Sequence, residues 1–470
     1  VTAPPRPGPA LRVSIPAPAP AVREFLATEA GSAVLLLGAT VVALVWANSP
    51  WSSSYDDLWN THAAFRVGGA SLDLSLHHWV NDGAMAIFFM VVGLEISREA
   101  TTGELRNRRA VAVPALGALG GLATPALIYW LINRSGSGAS GWGIAMSTDT
   151  AFVLGMLALF GPRCPDRLRL FMLTLAIVDD IGAITVVAVF YTKHVDVVAL
   201  VLAGVAVVAI VVLRWMGVWR LTPYLLAALL LWLAVHASGV HATLAGVLIG
   251  LLVPATPPRR EQLENVPVFV RALQEDSTAS RSALAVSAAR AAVTPNERLQ
   301  HLFHPVSAFL VVPLFGLANA GVSLDAHTLR TAATSPVTHG VTAALVLGNA
   351  VGITVAATCA VRGGLGVLPG RVRYGHLLGA AVLAGIGFTI SLFITELAFD
   401  SEELRDQAKI GILVGSLIAA TLGSLLLRFL GDRMPLCSPE SDGLPPPLPP
   451  QPWLAPGMPV HPLDGAVLHR

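Results

Sequence analysis

Hydrophobic residues in this chain gather into long apolar runs instead of the short periodic stripes of a soluble domain. The runs lie near 33–47, 79–96, 110–132, 142–161, 168–191, 196–213, 222–237, 239–253, 302–321, 338–361, 376–398 and 407–430. One membrane-crossing helix needs ~20 mostly apolar residues, so the pattern predicts an all-α polytopic membrane protein with about 12 transmembrane helices. The seventh and eighth runs are short and meet at a tight Ala-Ser-Gly-Val over 237–240. Between the first two runs, Phe65 to Leu76 reads differently. After Gly68 and Gly69, Leu72, Leu74 and Leu76 alternate with polar residues, the pattern of a small extracytoplasmic β-hairpin. An exposed strand edge there could pair with a second copy and make a homodimer.

Loop arginines orient the spans, because basic loops stay on the cytoplasmic side. The basic segments hold Arg6, Arg12 and Arg23; Arg98, Arg106, Arg108 and Arg109; Arg163, Arg167 and Arg169; and Arg214 and Arg220. They continue with Arg259, Arg260, Arg271, Arg281, Arg290 and Arg298, then Arg362, Arg371 and Arg373. Intervening loops carry one or two positive charges, such as Arg134, Lys193 and Arg330. The alternation never breaks, so both termini are expected in the cytoplasm.

Composition sharpens this. Hydrophobic residues make up 54% of the 470 and charged residues 13%, against about 25% charged in a soluble domain. A soluble enzyme with one anchor is excluded. A net charge of +1 argues against a nucleic-acid partner. Three distant cysteines, Cys164, Cys359 and Cys437, suggest neither a disulfide framework nor a thiolate metal site. Residues 1–21 and 433–470 are Pro-rich and read as disordered extensions without the pattern of a signal peptide. They flank a transmembrane domain over 22–432 with a long cytoplasmic loop at 254–300.

The chemistry lies where the apolar runs hold polar groups. Asp179 and Asp180 are adjacent in the fifth run, ten residues beyond Arg169, or about 15 Å along a helix. That is the middle of a bilayer, where each carboxylate costs roughly 2.5–3.5 kcal/mol on the insertion scale. Two such costs together mark a functional site. In the fourth run, Ser147-Thr-Asp-Thr150 puts four consecutive polar side chains at mid-depth. They compete with the backbone for hydrogen bonds and favour an unwound segment. The eleventh run is interrupted over Gly385 to Ser391 by Gly385, Gly387, Thr389 and Ser391. Runs 3–5 and 10–12 thus form two three-helix groups, each with a broken middle member and with opposite starting sides. Such inverted repeats hold a midplane site between broken helices in secondary transporters. Carboxylates and hydroxyls are hard ligands, suited to a small cation.

At these residues the chain resembles the NhaA family of sodium/proton antiporters, whose architecture of inverted repeats and broken helices is known. The matching segments are 81–95 (Asn81 to Glu95), 148–155 (Thr148 to Gly155), 175–183 (Leu175 to Ala183) and 238–246 (Ser238 to Gly246). Segments 313–322 (Pro313 to Val322) and 385–391 also match, all in family order over about 22–430. The resemblance implies a secondary active antiporter of a bacterial plasma membrane, not an enzyme, that exports Na+ (or Li+) against external H+ in pH and sodium homeostasis. It implies no cofactor. Asp179 and Asp180 would be the shared cation and proton site, with Asp149 and Thr148 at the crossing of the broken helices. Glu95, Arg98, Glu99, His241, His301 and His304 match positions tied to pH response. Read as residues alone, the first three have the spacing of a surface ion-pair set, and His241 that of a packing histidine.

The chain departs from the family pattern at three places. Asn349 stands where family members carry a lysine in the tenth span. Glu297 and Gln300 stand where the family has lysine and glutamate. The 254–300 loop is longer than usual. Two rivals need other features. An intramembrane aspartyl protease needs a Gly-x-Gly-Asp segment, which the chain lacks. A sodium-coupled symporter for an organic anion needs a fixed positive charge at the site. The spans offer no evident buried arginine or lysine for it, the lysines being Lys193 and Lys409. A passive channel would not need a broken-helix carboxylate site.

Overall fold

The computed structural model describes residues 29–433, apart from 68–69, 104–105, 107, 161–165, 193–195, 257–259 and 369–371. The Pro-rich stretches at both ends and the Gly68-Gly69 turn lie outside the described residues. The chain is helical, with one two-stranded sheet. Helix α1 (Glu29–Ala47) turns by 114° into the short α2 (Ser52–Asn60). Strands β1 (His62–Val67) and β2 (Ala70–Ser75) pair antiparallel, His62 opposite Ser75 and Phe65 opposite Leu72. The hairpin therefore starts earlier than the alternation predicts, and Leu76 already opens a helix. Ser75 explains the switch, because its hydroxyl accepts from the His78 backbone N–H and caps that helix. Leu72 and Leu74 are half-buried while Ser71 and Asp73 are exposed, as a one-sided strand requires.

The helix so capped is α3 (Leu76–Thr101). It is followed by α4 (Arg108–Ile132), α5 (Thr150–Phe160), α6 (Asp166–Phe190), α7 (Val197–Trp215), α8 (Leu221–Ala237) and α9 (Thr243–Leu252). The chain continues as α10 (Arg260–Glu275), α11 (Ala279–Ala291), α12 (Pro295–Asn319), α13 (Ala326–Thr334) and α14 (Pro336–Arg362). It closes with α15 (Tyr374–Leu383), α16 (Phe388–Ala398) and α17 (Glu402–Arg433). Among the described residues, seven helices are long and apolar enough to cross a membrane: α3, α4, α6, α7, α12, α14 and α17. The bent pairs α1–α2 and α15–α16 raise the number to nine, and α5, α8 and α9 are shorter apolar helices. The molecule is thus a polytopic bundle with broken helices.

The 254–300 segment is not an extended loop. Most of it folds into α10 and α11, which pack on each other. Thr278 caps α11 through the Arg281 N–H, and the alanine run behind it has high helix propensity. Thr294, with Pro295 behind it, starts α12 about two turns before its apolar run.

Leucines and valines facing lipid gain nothing from burial against each other, so membrane helices associate through close packing of small residues. Two seams do this here. A Cβ on Gly93 of α3 would meet the Val247 carbonyl of α9 at 2.6 Å, and one on Gly250 would meet the Leu94 nitrogen. In the other seam, Gly120 of α4 and Gly352 of α14 face each other's carbonyls at distances that exclude any side chain. Three helices carry a single widened turn: Trp79–Ala84 in α3, Ser307–Val311 in α12 and Ala344–Gly348 in α14. Such π-turns loosen the hydrogen-bond ladder and cluster at functional sites.

Candidate functional site

Two breaks in helices meet in the core. Before α5, residues Ser147, Thr148 and Asp149 are unwound, as the run of polar side chains predicts, and Thr150 begins the helix. The α15–α16 span breaks over 384–387, so Thr389 and Ser391 are helical rather than part of the interruption. The segments are joined directly, the Asp149 N–H donating to the Ile386 carbonyl at 2.6 Å.

Asp149 is 3% exposed and serves two helix ends. Its Oδ1 accepts from the Phe152 N–H at 3.2 Å, capping α5. Its Oδ2 accepts from the Thr389 N–H at 3.0 Å and the Thr389 hydroxyl at 2.8 Å, at the start of α16. Two helix N-termini brought together repel through their partial positive charges, and a carboxylate between them offsets this.

The aspartate pair sits on α6 in two different environments. Asp179 is 2% exposed and accepts from the Thr148 N–H at 2.7 Å. The Ser147 and Thr148 hydroxyls face the same carboxylate. Asp180 points into a cavity of about 440 Å³. Among the described residues its Oδ1 takes no hydrogen bond, and the charged neighbours that act on it are acids: Asp179, Glu95 and Asp149. The cavity is many times the ~30 Å³ share of one water molecule in the liquid. Its polar lining includes Asp180, Asp149, Thr148, Thr389, Glu95 and His304. His304 is exposed, so the cavity leads from Asp180 to the arginine-rich end of the bundle. An acid-lined pocket with an unwound backbone at its floor is chemically a site for a small cation or a proton.

The other predicted residues divide by position. Glu95 and His304 line the cavity. Arg98 donates to Gln300 Oε1 at 3.2 Å, so α3 and α12 are tied at that end by a hydrogen bond to a neutral amide. Glu99 is half-buried on α3 and His301 exposed on α12. His241 lies at the opposite end, 2.9 Å from the Tyr191 carbonyl. Asn349 is fully buried on α14 against Gly121 and Ile353. Among the described residues neither of its amide atoms has a partner, and it does not line the cavity.

One expectation is overturned. The spans do hold a buried cation: Lys409 of α17, 9% exposed, pairs with Glu396 of α16 at 2.8 Å. Arg405 joins the same carboxylate at 2.9 Å. Sequence patterning missed this because Lys409 stands near the start of its span, where a lysine reads as a loop charge. It is compensated in place and does not line the cavity, so it supplies no free charge for an organic anion. The double contact of Thr389 with Asp149 was also missed, since a threonine behind a glycine break gives no signal of its partner.

Broken helices that cross beside buried carboxylates define the class of ion-carrying membrane transporters. The model of the family described as Na+/H+ antiporter 1 matches residues 23–427, and the chain belongs to that family. It is 71% identical over 456 residues to the Na(+)/H(+) antiporter NhaA 3 of Frankia alni, covering 97% of this chain and 98% of that protein. It is 43% identical over 417 residues to NhaA 1 of Mycolicibacterium vanbaalenii, covering 89% of this chain and 67% of the relative. With NhaA of Syntrophobacter fumaroxidans the identity is 41% over 425 residues, 87% of this chain and 90% of the relative.

Proposed function

We propose that the chain is a secondary active antiporter of a bacterial plasma membrane, exchanging cytoplasmic Na+ or Li+ for external H+ at Asp179 and Asp180. Its relatives are named Na(+)/H(+) antiporters, and it is a transport protein rather than an enzyme. The observation that carries the reading is Asp180, a carboxylate among acids only, at the floor of a cavity beside the unwound crossing.

Cation and protons compete for the same oxygens, because a buried acid pair titrates as a unit and cannot hold both. Deprotonated, Asp180 and Asp179 take a cation, with Thr148 and Asp149 holding the crossing that shapes the site. The loaded site turns outward, external protons displace the cation, and the protonated site returns. Glu95, Arg98, Glu99, His301 and His304 at the cavity end, and His241 at the other, set the pH response. Asn349 carries no charge, so any charge moved in the cycle rests on the carboxylates.

The architecture we assign is twelve spans over 22–432, with α4–α6 and α14–α17 as inverted repeats. Both termini lie in the cytoplasm. The hairpin offers its free strand edge to a second copy, making a homodimer. The test is Asp180→Asn in everted vesicles: sodium-driven proton movement is lost while the protein accumulates normally in the membrane. Normal exchange by that variant overturns the site.

A further inference from the structure

The chain leading into the unwound segment is rich in glycine, and the aspartate site makes no direct use of it. Residues 138–143 read Gly-Ala-Ser-Gly-Trp-Gly, and Ala139–Gly143 form a single 3-10 turn. Two buried tyrosines grip this turn. Tyr129 of α4 donates its hydroxyl to the Gly138 carbonyl at 2.7 Å. Tyr191, the residue after α6, is engaged twice. Its hydroxyl accepts from the Gly143 N–H at 3.2 Å and donates to the Ser140 carbonyl at 2.8 Å. Ser140 in turn donates its hydroxyl to the carbonyl of Ala398, the last residue of α16, at 2.9 Å. The glycines let the rings approach: a Cβ on Gly141 would lie 2.6 Å from the Phe399 ring, and one on Gly143 2.6 Å from the Tyr191 hydroxyl. Trp142 covers the contact, stacked on Tyr191 with ring centres 6.4 Å apart.

Only four residues separate Gly143 from Thr148, whose N–H donates to Asp179. Ile144, Ala145 and Met146 among them are buried, and the Met146 N–H bonds back to the Gly143 carbonyl at 3.3 Å. The segment is thus fastened to α6 and its end at two points, Asp179 and Tyr191. The two fastenings differ in kind. The bond to Asp179 is charge-assisted while the carboxylate is ionised, and it weakens once that oxygen takes a proton or turns to a cation. The bonds of Tyr191 join neutral groups and do not depend on the charge of the site. Unwound backbone has no hydrogen-bond ladder of its own, so the groups that bond to it set its position.

We propose that Tyr191 is a positioning residue for the cation site, the fixed point from which the unwound segment presents the Thr148 N–H and hydroxyl to the aspartates in every charge state. The inference rests on the site proposed above. Tyr129 and Ser140 brace the same turn from α4 and against α16. Loosening the fixed point leaves the carboxylates on α6 but spreads the groups that face them. A site that must be gathered at each binding event binds more weakly than a preorganised one, while a cation once bound is carried as before.

The test compares Tyr191→Phe with Tyr224→Phe in the full chain. Tyr224 is a buried tyrosine of α8 whose hydroxyl has no partner among the described residues, so it controls for the loss of a phenol oxygen. In proteoliposomes Tyr191→Phe is expected to raise the KM for Na+ at least ~3-fold, the equivalent of one net hydrogen bond, with the maximal rate kept. Gly143→Ala, which displaces the same hydroxyl, should do likewise, and Tyr224→Phe should change neither quantity. In detergent, hydrogen exchange of the backbone amides over 143–148 should quicken in Tyr191→Phe and not in Tyr224→Phe. A KM unmoved in Tyr191→Phe, whatever happens to the maximal rate, overturns the proposal, and so does unaltered protection of the Thr148 amide. If the parent chain exchanges no sodium for protons, the antiport reading fails, and hydrogen exchange alone decides whether Tyr191 holds the segment.

Discussion

Thr389 donates twice to one oxygen of Asp149, from its backbone nitrogen at 3.0 Å and its hydroxyl at 2.8 Å. The crossing of the broken helices is therefore held by one carboxylate in addition to the backbone bond to Ile386 and the contact of the Phe152 and Phe388 rings, 5.7 Å apart. Thr389→Val keeps the size and the backbone bond and removes the hydroxyl. A hydrogen bond to a charged group contributes ~1.5–3 kcal/mol, so the variant should lose about that much stability and unfold at a lower temperature. Asp149→Ala should cost more, because the ends of α5 and α16 lose their caps together. Thermal unfolding in detergent, with sodium affinity measured alongside, checks both; equal stability of Thr389→Val and the parent would sink the argument.

Asn349 is fully buried with both amide atoms unpartnered by protein, so a lysine there breaks no existing hydrogen bond. An ammonium favours the ionised form of nearby carboxylates. In Asn349→Lys the onset of sodium/proton exchange is expected at lower pH than in the parent chain. A pH–rate profile in proteoliposomes that does not move would show that position 349 is not coupled to the aspartates.

Glu396 holds Lys409 at 2.8 Å and Arg405 at 2.9 Å, with its side chain 8% exposed. Breaking a buried pair from one side strands a charge, at a cost of about 3–5 kcal/mol. Lys409→Met leaves Glu396 with Arg405 alone and should be destabilised by less than that full cost, and Glu396→Gln with Lys409→Met should recover part of the loss. A double-mutant cycle of unfolding midpoints reads this directly, and additive losses would contradict it.

The α4–α14 seam leaves no room for a methyl group at Gly120 or Gly352. Overpacking of this kind costs typically 1–3 kcal/mol. Gly120→Ala should lower the unfolding midpoint, whereas Gly204→Ala on α7, where a Cβ meets nothing within 4 Å, should not. Comparable midpoints for the two variants would mean that the seam is not close-packed in the membrane.

Much of this was legible before any coordinates. Each long apolar run holds a helix, seven of them among the described residues long enough to cross a membrane and nine spans if the bent pairs are counted, and the adjacent acids Asp179 and Asp180 fall beside the unwound crossing and its cavity. Four polar residues in a row gave the unwound segment at Ser147 to Asp149. Partnership across the fold was not legible. Nothing near Thr389 announces Asp149, 240 residues away, and nothing near Lys409 announces that its charge is buried against Glu396. The long segment after α9 was read as a loop because its alanines and arginines make no apolar run, yet alanine favours a helix without one. The different settings of Asp179 and Asp180 follow from the ~100° between successive helix positions. The sequence could not say which of the two would meet the cavity.

On the side of the site away from the arginines, the void next to Asp180's helix shrinks to about 10 Å³, room for roughly one water at most. Phe89 and Phe393, with ring centres 5.3 Å apart, close it together with Val187 and Val247. A cavity of that size filled with water would conduct, whereas a packed apolar layer would not. The voltage across the bilayer would then fall mainly over the thin apolar layer and not over the full ~30 Å of hydrocarbon. A charge that crosses only that layer meets nearly the whole ~2.3 kcal/mol per 100 mV. With the aromatic closure in place, a short displacement of the proposed site would be electrically equivalent to a passage through the entire membrane.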